Sequence, residues 1–134
     1  MKTNIVKAFA ALAVLALTAC GSWSPQRSAT DEVCIEVSEM DKSVTELAAL
    51  PDNATSAQVQ QVKAKIDKEY QEVLEEANDS GAQGVDNITS AYNSVQRAIS
   101  AATSQGVAAA RPQIESSAAE VNVARTQYNS SARC

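Results

Sequence analysis

Histidine is absent from all 134 residues, and with it the commonest general base and the commonest metal ligand. Aromatic side chains are scarce, with three Tyr, one Trp and one Phe. A core built here must be aliphatic and thin, with Ala, Ser and Gly in many of its positions. Small residues let helices approach closely but bury little area each. No Gly-rich phosphate loop, zinc-type Cys spacing or Gly-x-Ser-x-Gly elbow occurs. Nor is there an apolar run of the roughly twenty residues that span a bilayer as a helix. These absences argue against an enzyme and against a bound cofactor or metal. The acidic pairs Glu36/Glu39 and Glu75-Glu76 with Asp79 read as solvated helix faces.

Helical periodicity runs through most of the chain. Val33, Val37, Met40, Val44 and Leu47 recur at spacings of 4, 3, 4 and 3, a heptad seam. Thr30-Asp31-Glu32 supplies a cap candidate and acids for its first turn, and Leu50-Pro51 ends it. Thr55-Ser56-Ala57-Gln58 has the form of a capping box. It opens a second helix with Val59, Val62, Ile66, Tyr70, Val73 and Ala77 on one stripe. Lys65-Glu69 and Lys68-Glu72 are spaced as i,i+4 pairs on the opposite face.

The stretch 78–84 holds two glycines and favours a break. The stripe can also be carried through it as Ala77, Gly81, Val85 and Ile88, which would fuse the second and third helices. Val85, Ile88, Tyr92, Val95, Ile99 and Ala102 give the third helix its apolar face. Thr103-Ser104-Gln105-Gly106 reads as a turn with a Ser cap candidate. A fourth helix carries Val107, Ala110, Ile114, Ala118, Val121, Ala124 and Tyr128. Pro112 either kinks it or marks the first turn of a helix starting near Arg111. Tyr70, Tyr92 and Tyr128 all fall on core stripes and read as packing residues.

The first twenty residues have a different character. Lys2 and Lys7 precede an apolar run from Ala8, rich in Ala and Leu, which closes on Leu17-Thr18-Ala19-Cys20. A basic segment, a short apolar segment and small residues before a cut describe a secretory signal. Leu-Thr-Ala-Cys resembles the lipobox of bacterial lipoproteins. The resemblance covers the signal segment alone. It implies cleavage before Cys20, diacylglycerol on the Cys20 sulfur and frequent acylation of the new amino group. Each buried CH₂ contributes roughly 0.8 kcal/mol, so two or three acyl chains hold durably where one is marginal. An ordinary secretion signal with a chance cysteine is the alternative. Gly21-Ser22 follows without an Asp. In a Gram-negative lipoprotein that resembles outer-membrane sorting; in a Gram-positive cell the anchor would lie on the outer face of the plasma membrane.

On this reading residues 1–19 are the signal peptide, 20–29 a lipidated tether and 30–134 the folded domain. Trp23 would rest among lipid headgroups or dock on the domain. Without Lys2 and Lys7 the remainder carries nine basic and sixteen acidic side chains, a net charge of −7. That disfavours nucleic acid as a partner. With Cys20 lipidated, Cys34 and Cys134 remain as an even pair in an oxidising setting. A disulfide between them is expected, two free thiols being the alternative.

The expected fold is all-α, an antiparallel up-down four-helix bundle, or a three-helix arrangement if the middle helices fuse. Both ends of such a bundle lie together, which suits the disulfide. The expected function is that of a lipid-anchored, non-enzymatic cell-envelope protein with a structural or protein-interaction role. Its partners would be the membrane, through Cys20, and an envelope protein, with self-association into a homo-oligomer open to weak seams. The alternative is a binding module holding a small apolar ligand or lipid between the helices.

Overall fold

A computed structural model describes residues 29–134 of the chain. The signal segment, the lipobox at Cys20 and the tether up to residue 28 lie outside the described residues. Four helices follow one another: α1 (Ala29–Ala48), α2 (Ser56–Ser80), α3 (Asp86–Gln105) and α4 (Val107–Ala132). α1 packs on α2 and α4, and α3 packs on α4 and α2. This closes the ring of an up-down bundle, and the described residues contain no strand.

The seams fall where the heptads place them. Val33, Val37, Met40, Val44 and Leu47 of α1 are fully buried, as are Val59, Ile66 and Val73 of α2. Ile88, Val95 and Ile99 of α3 and Val107, Ile114 and Val121 of α4 are buried in the same core. Burying each such side chain contributes roughly 1.5–3 kcal/mol. Alanines complete the seams of α3 and α4, with Ala91, Ala98, Ala102, Ala110 and Ala124 all buried. These small side chains let the two helices pack closely.

The helix ends explain the connections. α1 begins at Ala29, so Thr30 is its second residue and not its cap. At the start of α2, the Thr55 hydroxyl accepts from the Gln58 N–H at 3.3 Å. The Gln58 side chain accepts in return from the Thr55 N–H at 2.8 Å, completing the capping box. α2 stops at Gly81, which takes the left-handed conformation (φ 64°, ψ 25°). The next residue, Ala82, donates its N–H back to the Ala77 carbonyl at 2.9 Å. A glycine C-cap of this kind terminates a helix because it costs a Cβ-free residue nothing to turn left-handed. The fused arrangement of helices 2 and 3 is therefore not formed.

The junction of α3 and α4 differs from expectation. Thr103 and Ser104 do not lie in a turn. They belong to α3, and their hydroxyls donate to the carbonyls of Ile99 and Ser100, each at 2.9 Å. Gly106 alone joins α3 to α4, at φ 91° and ψ 156°, a region essentially reserved for glycine. One residue thus reverses the chain, so no serine cap is needed. Pro112 lies inside α4, which starts at Val107 and not near Arg111. Both Pro112 and Ala108, whose carbonyl it leaves without an N–H partner, are exposed, so water can take that place. On α4, Ser117 is buried where Ala118 was expected to be. Ser117 satisfies its hydroxyl by donating to the Ile114 carbonyl at 2.9 Å.

Candidate functional site

Cys34 lies in the second turn of α1 and Cys134 just past the end of α4. The bundle brings their Cα atoms to 6.0 Å, and the two are joined in a disulfide across 100 positions of sequence. Cys34 is buried against the core, while Cys134 is exposed. The bridge ties the two ends of the described domain together. Cys20, the expected lipidation site, lies outside the described residues.

Away from the disulfide, the bundle consists of two tight helical hairpins. α1 lies close on α2 and α3 close on α4, while α2 and α3 touch least among the neighbours. Larger side chains bridge that seam. Tyr70 of α2 and Tyr92 of α3 stack with ring centres 3.7 Å apart and planes within 9°. The Tyr70 hydroxyl donates to Thr89 at 3.0 Å. Asp67 accepts from the Tyr92 hydroxyl at 2.9 Å, from the Gln96 amide at 2.7 Å and from the Lys63 ammonium. The pair of Lys63 with Asp67 stands at helix spacing but was not singled out in the sequence; an acid among three donors cannot be read from spacing alone.

The electrostatics of this cluster follow from its contacts. Partial burial pushes the Asp67 carboxyl up, but the bonds from Lys63, Tyr92 and Gln96 outweigh it and hold the group below the ordinary range. Burial, followed by the bond to the Asp67 carboxylate, pushes Tyr92 up to about 12. Asp67 is thus a carboxylate already engaged by three donors, and Tyr92 a phenol that keeps its proton. The arrangement fastens two helices and holds no acid–base pair poised near neutral pH. Tyr128 stands apart on α4. It is buried, its hydroxyl has no hydrogen-bond partner among the described residues, and burial raises its proton affinity.

Between α1 and α2 the antiparallel pairing sets acid against acid. Glu76 stands beside Glu32, which pushes its carboxyl up after desolvation. One turn further, the charge of Glu72 acts on Glu36. Glu69, opposite Glu39 and Glu46, accepts from the buried Ser43 hydroxyl at 2.9 Å. Desolvation, together with these neighbours, raises the carboxyls of Glu36, Glu69 and Glu76. Lys68 pairs with Glu72 at 2.5 Å, as its spacing suggests. Lys65 does not pair with Glu69; it crosses to Glu46 of α1 at 2.6 Å. The longer reach brings it to an acid that otherwise has no cation. Among the described residues no group of three His, Cys, Asp or Glu could hold a metal ion, and no helix is long and apolar enough to cross a membrane.

Arg111, whose partners no sequence spacing indicates, is the principal polar link between α4 and the α1–α2 turn. Its guanidinium donates to the Ala48 carbonyl at 2.7 Å, the Leu50 carbonyl at 2.6 Å and the Asp52 carboxylate at 2.6 Å. It thereby serves the carbonyls left open at the end of α1. Further along α4, Arg125 forms an ion pair with Asp41 of α1 at 3.0 Å. Shallow grooves open on the outer surface between α3 and α4, one lined by Ser94, Arg97 and Glu120, the next by Ser90, Glu120 and Val123.

No protein-family model matches the chain, and neither curated proteins nor solved structures give a match.

Proposed function

We propose that this chain is a lipid-anchored helical protein of the bacterial cell envelope with a non-enzymatic, structural or protein-interaction role. The observation that carries the reading is Leu17-Thr18-Ala19-Cys20 at the close of a basic and then apolar leader. A disulfide-closed bundle fits an exported, oxidising setting. The bundle interior is filled by its own side chains, from Val33 to Val121, and its polar clusters link helix to helix. Such a body presents surfaces to partners and favours this reading over a ligand held between the helices. On the same reading the membrane is engaged through lipid on Cys20.

Two measurements test the proposal. Intact mass of the protein extracted from membranes should begin at Cys20 with acyl chains added, and two thiols should become alkylatable only after reduction. An unlipidated mass would make this a secreted protein without an anchor. Crosslinking on intact cells should recover a discrete protein partner. Turnover of an envelope substrate that depended on one of the carboxylates would overturn the non-enzymatic part.

A further inference from the structure

The charges of the bundle are divided between its two hairpins. α1 carries six acids and one lysine, and α2 six acids and three lysines. α3 carries one acid and one arginine, and α4 two of each. Two copies of the chain meeting through α1 and α2 would bring like charges together, which costs several kcal/mol at an interface. The α3–α4 face has no such barrier.

That face also carries an open surface. Its two grooves, each about 390 Å³, run end to end and share Ser116 and Glu120. Val123 stands on the rim 54% exposed, the most exposed large aliphatic side chain among the described residues. Arg97 and Glu120 lie on opposite walls of one groove without pairing to each other. Arg97 bonds only to Ser94 on its own helix, at 2.8 Å, and Glu120 makes no hydrogen bond or ion pair among the described residues. Opposite charges left open on the two walls of one groove are self-complementary. A two-fold axis along the groove lays each α3 over the partner copy's α4. Each Arg97 then faces the other copy's Glu120, with Val123 of both copies covered.

From this charge pattern we infer that the α3–α4 face binds a second copy of this chain, giving a symmetric dimer with the acidic α1–α2 faces outward. The inference rests on the reading of the chain as an interaction protein and names one of its partners.

Sedimentation velocity of the purified full-length protein should show a concentration-dependent doubling of mass. Arg97→Glu and Glu120→Arg should each weaken the dimer by roughly tenfold or more, and the double exchange should restore it. All three positions used here, Val123 included, are exposed, and circular dichroism of each variant checks the fold. A photo-crosslinker at Val123 should yield an adduct whose peptides both come from this chain. A monomer at every concentration, or a dimer indifferent to both charge reversals, would overturn the inference. Monomeric protein with a Val123 adduct to a different protein would overturn self-association while leaving the interaction reading standing. Monomeric protein with no adduct on cells would count against both.

Discussion

Arg111 on α4 holds Asp52 in the α1–α2 turn at 2.6 Å, and the same guanidinium takes the carbonyls of Ala48 and Leu50. The arginine side chain is 23% exposed and Asp52 70%. The two partners should therefore differ in weight. Removing Arg111 leaves half-buried carbonyls without a donor, and hydrogen bonds from charged groups contribute about 1.5–3 kcal/mol each. Arg111→Ala should cost about 2–3 kcal/mol in urea unfolding. Asp52→Asn should cost less than about 1 kcal/mol, as exposed ion pairs do. Equal costs would place the weight on the ion pair and not on the cap.

The Asp67–Tyr92 bond sets the behaviour in acid and base. Asp67 is held below its ordinary 3.8, so its contribution is present above that value and lost as the pH falls through its folded one. Glu36, Glu69 and Glu76 are raised above 4.5. Their contribution is present below 4.5 and lost as the pH rises through their folded values. Urea midpoints should thus climb as the pH is lowered from neutral, then fall once Asp67 is protonated. Glu69→Gln should raise the neutral midpoint and flatten the climb, while Tyr92→Phe, by removing one of the bonds that hold Asp67 down, should make the acid loss shallower. A midpoint that falls steadily from neutral pH downward would contradict the acid-on-acid pairing of α1 and α2. At the alkaline end, Tyr92, raised from 10.0 to about 12, stabilises the fold while protonated. Its share should vanish as the pH passes through that value, followed by phenolate absorbance.

How far the sequence was legible depended on the range of the interaction. The stripes of α1 and α2 are periodic within one helix, and every residue placed on them is buried. The Thr55–Gln58 box is local in the same way. Arg111 was missed because its partners stand some sixty positions away, where no spacing rule reaches. Ser117 was missed for a related reason: apolar periodicity ranks alanine above serine, while a serine can satisfy itself on its own helix. Lys65 had two acids in reach, and only packing of α1 on α2 decides for Glu46 over Glu69. Of the functional reading, the leader stands in a segment the structure does not describe. The charge asymmetry between hairpins was in the sequence, but its meaning required knowing which helices pair.

Gly106 carries the whole reversal between α3 and α4. Its φ of 91° and ψ of 156° lie where a side chain is strained irrespective of space, and no neighbour stands within 4 Å of a built Cβ. Gly106→Ala should therefore cost about 1–3 kcal/mol through backbone strain alone. Gly81→Ala, at a left-handed position that other residues tolerate better, should cost about 1 kcal/mol. Thermal unfolding of the two variants should rank them in that order.

The disulfide should contribute more than any of these single changes. Closing a loop of 100 positions removes about 4–5 kcal/mol of chain entropy from the unfolded state, with native bridges in small domains typically contributing about 2–5 kcal/mol. The joint variant Cys34→Ala, Cys134→Ala should lose stability in that range. Its urea dependence should steepen, because an unbridged chain exposes more surface on unfolding. The loss should also be local. α4 closes on Arg133 in the left-handed conformation, with the Cys134 N–H donating to Asn129 at 3.0 Å. Without the bridge only that exposed last turn remains to hold the end. Amide exchange from Ser130 onward should accelerate in the variant while the seams of α1 and α2 keep their order of protection. Exchange that speeds up uniformly along α4 would instead mean that the bridge supports the whole helix and not just its terminus.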